Sequence, residues 1–239
     1  MKILAFETSA KAVSVALWQD GVLLGEYYQN TGQTHSRTLM KLAEDLLVNC
    51  ELTPAEVEAV AWANGPGSFT GVRIGCAAAK GFAWGRELPC LPVSTLESMA
   101  WCHTDFDGIV CPCMDARRSQ VYNAVFRMVQ GRPVRLREDR AISLEDLAAD
   151  LEGFTSPILL VGDGALITWN ALRERLQNLR LAAEHLRHQR ASGVALAAAD
   201  AALRDAAVSG AQAAPNYLRL SQAERERLEK EAQQDKSNE

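Results

Sequence analysis

The order of hydrophobic patterns in this chain occurs twice, and a doubled order restricts the fold more than any single motif does. "KILAFETSA" is apolar to Phe6 and turns acidic at Glu7, while "IVCPCMDA" is apolar and turns acidic at Asp115. After the first, "AVSVALWQDGVLLGEYY" gives two alternating runs about Asp20-Gly21, a hairpin signature. After the second, "SQVYNAVFRMVQGRPVRLRE" gives two more about Gln130-Gly131. With Glu7 laid on Asp115, Val13 falls on Val121, Ala16 on Ala124 and Leu17 on Val125. A helical segment follows in each half. The first starts near Ser36, its expected N-cap, with Leu39, Leu42, Ala43 and Leu46 on one face. The second runs from Ser143 to Leu151, and each half closes on a strand, "VEAVAWA" or "PILLVGDGA". Two such copies predict a duplicated α/β fold: two lobes, each a mixed sheet with flanking helices, around a cleft. The seam is expected around Trp101 to Asp107, giving lobes over 1–104 and 105–220 and a charged tail, helical or disordered, over 221–239.

A chain of 239 residues suffices for a sizeable core in either lobe. Its N-terminus lacks the zones of a signal peptide, and no apolar run approaches the ~20 residues of a membrane span. Six irregularly placed cysteines suit reduced thiols and a cytoplasmic location. With 25 basic against 30 acidic side chains the net charge is −5, which disfavours a grip on RNA by this chain alone. The basic cluster Arg132, Arg135, Arg137 and Arg140 is interspersed with acids.

"NGPGSFTGVRIG", Asn64 to Gly75, stands between a strand and a helix, where phosphate loops stand. Gly71 is followed by Val72-Arg73, not by the Lys-Ser/Thr of a P-loop, and Gly65, Gly67 and Gly71 are spaced one residue too wide for the dinucleotide fingerprint. Ser68 follows Gly67 directly, so no nucleophile elbow is formed. A tight strand-to-helix turn accounts for the loop equally well. The following helix has Gly71, Gly75 and Ala79 at four-residue spacing and almost no polar face. Two glycines in a helix cost roughly 1 kcal/mol each relative to alanine. That cost is expected where another backbone comes close, whether within the lobe or from a second subunit.

His185 and His188 have no third ligand nearby, and Cys111, Cys113, Cys102 and His103 fit no zinc spacing. No metal site and no catalytic constellation is assigned. Glu7 and Asp115, with Thr8 beside the first, are the candidates for orienting a nucleotide phosphate across the cleft. The alternative is that both acids cap local backbone donors.

"GPGSFTGVRIG", "VSTLESMA", "DARRSQVYNAVF" and the closing "APNYLR" together resemble the TsaB (YeaZ) family, within the actin-like ATPase superfamily, from Met1 to about Arg219. The resemblance implies a non-catalytic subunit of the machinery that places threonylcarbamoyl on N6 of the adenosine beside the tRNA anticodon. The implied partners are a TsaD-like catalytic subunit and a TsaE-like ATPase, with a homodimer forming when TsaD is missing and tRNA reached only through the complex. No intrinsic cofactor is implied, and ATP or ADP belongs, if anywhere, at the partner interface. A TsaD-type metal site rests on paired histidines, and His35 stands alone in the corresponding region. The implied interface takes His35, Arg37 and Met40 from the first helix. From the second it takes Phe69, Thr70, Gly71, Arg73, Ile74, Gly75, Ala78 and Phe82, with the two glycines admitting the neighbour. Competing functions are a stand-alone actin-like ATPase or kinase using Glu7, Asp115 and the loops at Gly65 and Gly162, or a glycopeptidase-like metalloprotease. Glu7 departs from the aspartate of many relatives, which weakens the ATP-site reading.

Overall fold

The computed structural model describes residues 1–219, so the expected 221–239 tail lies outside the described residues. In chain order the first half forms β1 (Lys2–Glu7), β2 (Val13–Gln19), β3 (Val22–Gln29), α1 (His35–Asn49), β4 (Ala59–Gly65), α2 (Phe69–Ala83), β5 (Cys90–Ser94) and α3 (Thr95–Trp101). The second half forms β6 (Ile109–Asp115), β7 (Gln120–Val129), β8 (Arg132–Ser143), α4 (Leu144–Leu151), β9 (Ile158–Val161), α5 (Ala165–Leu172), β10 (Leu179–Leu181), α6 (Glu184–Arg187) and α7 (Ala191–Ala202). One sheet has the order β3-β2-β1-β4-β5 and the other β10-β9-β6-β7-β8, the same order read from the opposite edge. In each, the first three strands pair antiparallel in succession, the fourth pairs parallel with the first, and the fifth pairs parallel with the fourth. Glu7 and Asp115 end the two equivalent first strands.

The two first strands are one residue out of the expected register. Val13, Ala16 and Leu17 do lie on the faces that Val121, Ala124 and Val125 occupy in the second sheet. Glu7, however, faces Ser14 across its hairpin whereas Asp115 faces Val121, so the two acids point to opposite faces of their sheets. The connection after Asp115 is one residue shorter than the one after Glu7. A slip of one residue exchanges the two faces of a strand, and similarity this weak does not reveal it. Ser36 is likewise not the cap of α1: Thr34 stands at that position, and the helix begins at His35. Ser143 does cap α4, its hydroxyl accepting from the Asp146 amide at 3.0 Å.

Alternation along the central strands assigns each face a different cover. Leu4, Phe6, Val60 and Trp62 point to the side covered by α1 and α2, and Ile3, Ala5, Ala59 and Ala61 point to the other. That second, small-residue face is covered by α7, which arrives from the far end of the chain. The matching face of the second sheet, with Val110, Phe126 and Val161, is covered by Leu96, Met99 and Ala100 of α3. The halves thus exchange helices. Where α3 and α7 cross, a side chain at Gly193 would overlap the Ser98 carbonyl. Residues 191–202 thus pack on the sheet of the first lobe although they follow the second in the chain. The alanine-rich composition of α7 follows, because a helix held between an alanine-faced sheet and a second helix has room only for short side chains.

Candidate functional site: an interlobe cleft and an exposed helix face

The glycine loop closes on its own chain. Ser68 caps α2, its hydroxyl accepting from the Gly71 amide at 3.3 Å, and its own amide donates to the Ser9 carbonyl at 2.6 Å. Thr8 leaves the end of β1 beneath the helix, where its hydroxyl donates to the Gly71 carbonyl at 2.7 Å. A Cβ at Gly71 would overlap the Thr8 carbonyl, and one at Gly75 would stand 2.6 Å from the Thr8 hydroxyl. Both glycines are buried. The expectation that they admit a neighbouring subunit is therefore corrected: the backbone they admit is that of Thr8, from the same lobe.

A cleft of about 570 Å³ opens between the lobes, lined by Ser9–Lys11 and Pro66–Phe69 on one side and by Met114–Arg117, Tyr122 and Asp163 on the other. The closing segment "NYLR", Asn216 to Arg219, crosses it. The Asn216 amide donates to the Asn64 carbonyl at 2.7 Å, while Arg219 donates to the Ala116 carbonyl at 3.2 Å and to Gln120. The segment thereby ties one lobe to the other.

Of the three residues expected to orient a nucleotide, only Asp115 lines the cleft. Its carboxylate accepts from the Arg117 amide at 2.8 Å, the local capping role considered as the alternative. Thr8 is committed to Gly71. Glu7 is wholly buried: one carboxylate oxygen accepts from the Ser9 amide at 2.6 Å and the other has no partner among the described residues. Burial pushes its pKa from an ordinary 4.5 to about 7, with Asp163 adding repulsion from the opposite lobe. Burial also raises the pKa of Asp163, which accepts from Gln189 Nε2 at 3.0 Å. Asp163, Lys11, Tyr217 and Arg219 are cleft residues that the sequence reading missed. The Gly162-Asp163-Gly164 turn was the available signal for the first. Tyr217 and Arg219 stand in the closing motif "APNYLR", but no local pattern shows that it reaches the cleft, with Tyr217 lying 144 residues beyond Arg73.

The outward side of α1 and α2 carries six of the other expected residues. Arg37, Met40 and Thr70 are exposed, and Ile74, Ala78 and Phe82 are half-buried. Ala77 and Gly81 continue the exposed surface, and Trp84, at the C-terminal end of α2, is 84% exposed. These three lie within the segment Thr70 to Trp84 expected at the interface, although none was among the residues singled out there. His35 turns inward, its Nε2–H donating to the Ala10 carbonyl at 2.7 Å. Phe69 and Arg73 turn toward the cleft: the Phe69 and Tyr217 rings stack at 4.6 Å, the Arg73 guanidinium lies 3.8 Å over Phe69, and Arg73 Nε donates to the Tyr217 hydroxyl at 2.8 Å.

Elsewhere, Cys111 and Cys113 point to one side of β6, as residues two apart must, and Asn123 Nδ2 donates to Cys111 at 3.2 Å. The arginines of β8 are taken up by ion pairs: Arg132 with Asp200, Arg135 with Glu97 and Asp139, and Arg137 and Arg140 with Asp150. No helix among the described residues is long and apolar enough to cross a membrane.

Two sheets of identical order, exchanged inner helices and a cleft at the ends of the paired first strands define a two-lobed protein of the actin-like class. The (R)-2-hydroxyglutaryl-CoA dehydratase component A of Acidaminococcus fermentans shares that fold, at a TM-score of 0.51 and 12% identity over 84% of this chain and 99% of that one. A family model described as "TsaD: tRNA N6-adenosine threonylcarbamoyltransferase" matches residues 28–227. The "tRNA threonylcarbamoyladenosine biosynthesis protein TsaB" of Bacillus subtilis is 32% identical over 232 residues, covering 96% of this chain and 99% of its own. The solved structure of YeaZ from Pseudomonas aeruginosa superposes with a TM-score of 0.77 at 28% identity, over 91% of this chain and 99% of that one. Within the family that the model describes, the chain belongs to the TsaB (YeaZ) branch.

Proposed function

We propose that the chain is a cytoplasmic, non-catalytic subunit of the tRNA threonylcarbamoyladenosine pathway, docking on and activating a TsaD-type transferase. The outward face of α1 and α2 carries this reading. Met40, Ile74, Ala77, Ala78, Phe82 and Trp84 present apolar surface from two helices side by side, with Arg37 and Thr70 beside them. Apolar patches rimmed by polar residues are where partners bind. The buried state of Glu7 and the commitment of Thr8 to Gly71 support a supporting role rather than a catalytic one. A second copy of the chain would use the same face when the transferase is missing, and a TsaE-type ATPase completes the set. Any ATP or ADP would lie at the partner interface.

Met40→Glu with Ala77→Glu tests this, because both positions are exposed and the fold has no reason to change. The expected result is an unaltered melting temperature, loss of self-association and of co-elution with TsaD, and loss of modification when TsaD, TsaE and threonylcarbamoyl-adenylate are supplied. Asp115→Asn is expected to leave modification intact. Retained association in the double variant, or ATP turnover by the chain alone that Asp115→Asn abolishes, would overturn the reading.

A further inference from the structure

We propose that the rim of the interlobe cleft is a contact surface for the phosphate backbone of RNA, presented when the chain is assembled with its transferase. The proposal rests on the tRNA pathway assigned above and adds where the nucleic acid would lie on this chain. Lys11 from the first lobe, Arg117 from the second and Arg219 from the closing segment line the same cleft. Arg118 follows Arg117, and Arg73 is bound to Tyr217 at the cleft edge. Against these five cations stand the carboxylates of Asp115 and Asp163, and Asp163 lies on the floor, bonded to Gln189. The contrast with β8 is direct, because its arginines are spent on internal acids. At the rim only Arg117 has a carboxylate near, Asp115 at 3.8 Å, while Lys11, Arg73 and Arg118 pair with none among the described residues.

Two features hold these cations in place. Arg117, Arg118 and Ser119 take φ angles of 65°, 54° and 56°, a left-handed conformation that side chains resist. The turn persists because Asp115 accepts from the Arg117 amide and the Ser119 carbonyl accepts from the Leu144 amide at 3.3 Å. This is also the connection that is one residue shorter than its counterpart, and it leaves both arginines in solvent at the rim. Arg73 is fixed by Phe69 and by the Tyr217 hydroxyl, which takes its Nε and leaves its terminal nitrogens without an acceptor among the described residues. Guanidinium groups interleaved with aromatic rings suit a ligand that offers both phosphates and stacking faces, which an acidic protein surface does not. A net charge of −5 confines the attraction to this rim, so RNA contact belongs to the assembled complex rather than to the free chain.

The test measures binding of an unmodified tRNA transcript to the chain–TsaD assembly as a function of salt, with assembly followed separately by light scattering. Arg117→Glu with Arg118→Glu, and independently Lys11→Glu, are compared with Arg137→Gln in β8 as control. The double variant is expected to assemble normally and to bind tRNA at least about tenfold more weakly in low salt. It should also flatten the log–log salt dependence by about 1.5, since each phosphate that a cation neutralises adds roughly 0.7–0.9 to the slope. Lys11→Glu should lower the affinity in the same direction and Arg137→Gln should not. Unchanged affinity and slope in an intact assembly would overturn the proposal, as would failure of the double variant to assemble, since the rim would then be a protein interface. If the wild-type chain does not assemble with TsaD, the function proposed above fails. The rim proposal falls with it, whereas an intact assembly with unaltered tRNA binding in the variants overturns the rim alone.

Discussion

Glu7 offers a direct measurement of how completely the two lobes enclose the cleft floor. Its carboxyl is wholly buried, and burial holds its pKa near 7 in place of 4.5. A carboxyl whose pKa rises on folding binds its proton more tightly in the native state. Its contribution to stability is therefore complete below the unfolded value and is lost as pH rises toward the folded one. The window runs from 4.5 to about 7. At about 1.4 kcal/mol for each pH decade, the loss is about 3 kcal/mol by pH ~8.5. Glu7→Gln removes the titration and keeps the shape and the acceptor for the Ser9 amide. Urea unfolding of both proteins across roughly pH 4.5–8.5 should show the variant gaining on the native chain by about 3 kcal/mol as pH rises. Other titrating groups cancel in the difference. Parallel stability curves would refute the reasoning, since they would mean that water reaches Glu7 and the lobes do not seal over it. Asp163→Asn should shift the inflection to lower pH by removing the repulsion across the cleft.

Three further outcomes follow from the same contacts. Gly71→Ala, which drives a Cβ into the Thr8 carbonyl, should destabilise the chain by about 3 kcal/mol or more in urea melts, against roughly 0.5 kcal/mol or less for the exposed Ala77→Ser. Trp62→Ala, emptying the largest fully buried side chain between β4 and the helices, should cost about 3–5 kcal/mol by the same measurement. Tyr217→Phe, deleting the hydroxyl that accepts from Arg73 while keeping the ring stack, should cost about 1 kcal/mol or less, and hydrogen exchange should quicken in residues 213–219 before it does elsewhere.

The duplicated order of elements was legible in the sequence because hairpin turns, strand alternation and helix faces are local, and each half wrote them out in turn. Asp20-Gly21 and Gln130-Gly131 do open the two hairpins, and Glu7 and Asp115 do end equivalent strands. The similarity to a named family was legible for the same reason, in short continuous motifs such as the glycine loop and the closing "APNYLR". The partner of those glycines was not. A glycine records that something comes close and is silent about which chain supplies it, and here it is Thr8, 63 residues before Gly71. Nor could any local pattern show that α7 returns to the first sheet, that the turn after Asp115 is one residue short, or that Lys11, Arg117 and Arg219 meet around one cleft. Those facts depend on where distant segments come to rest, which is fixed by how the alanine faces of one lobe and the helices of the other fit together.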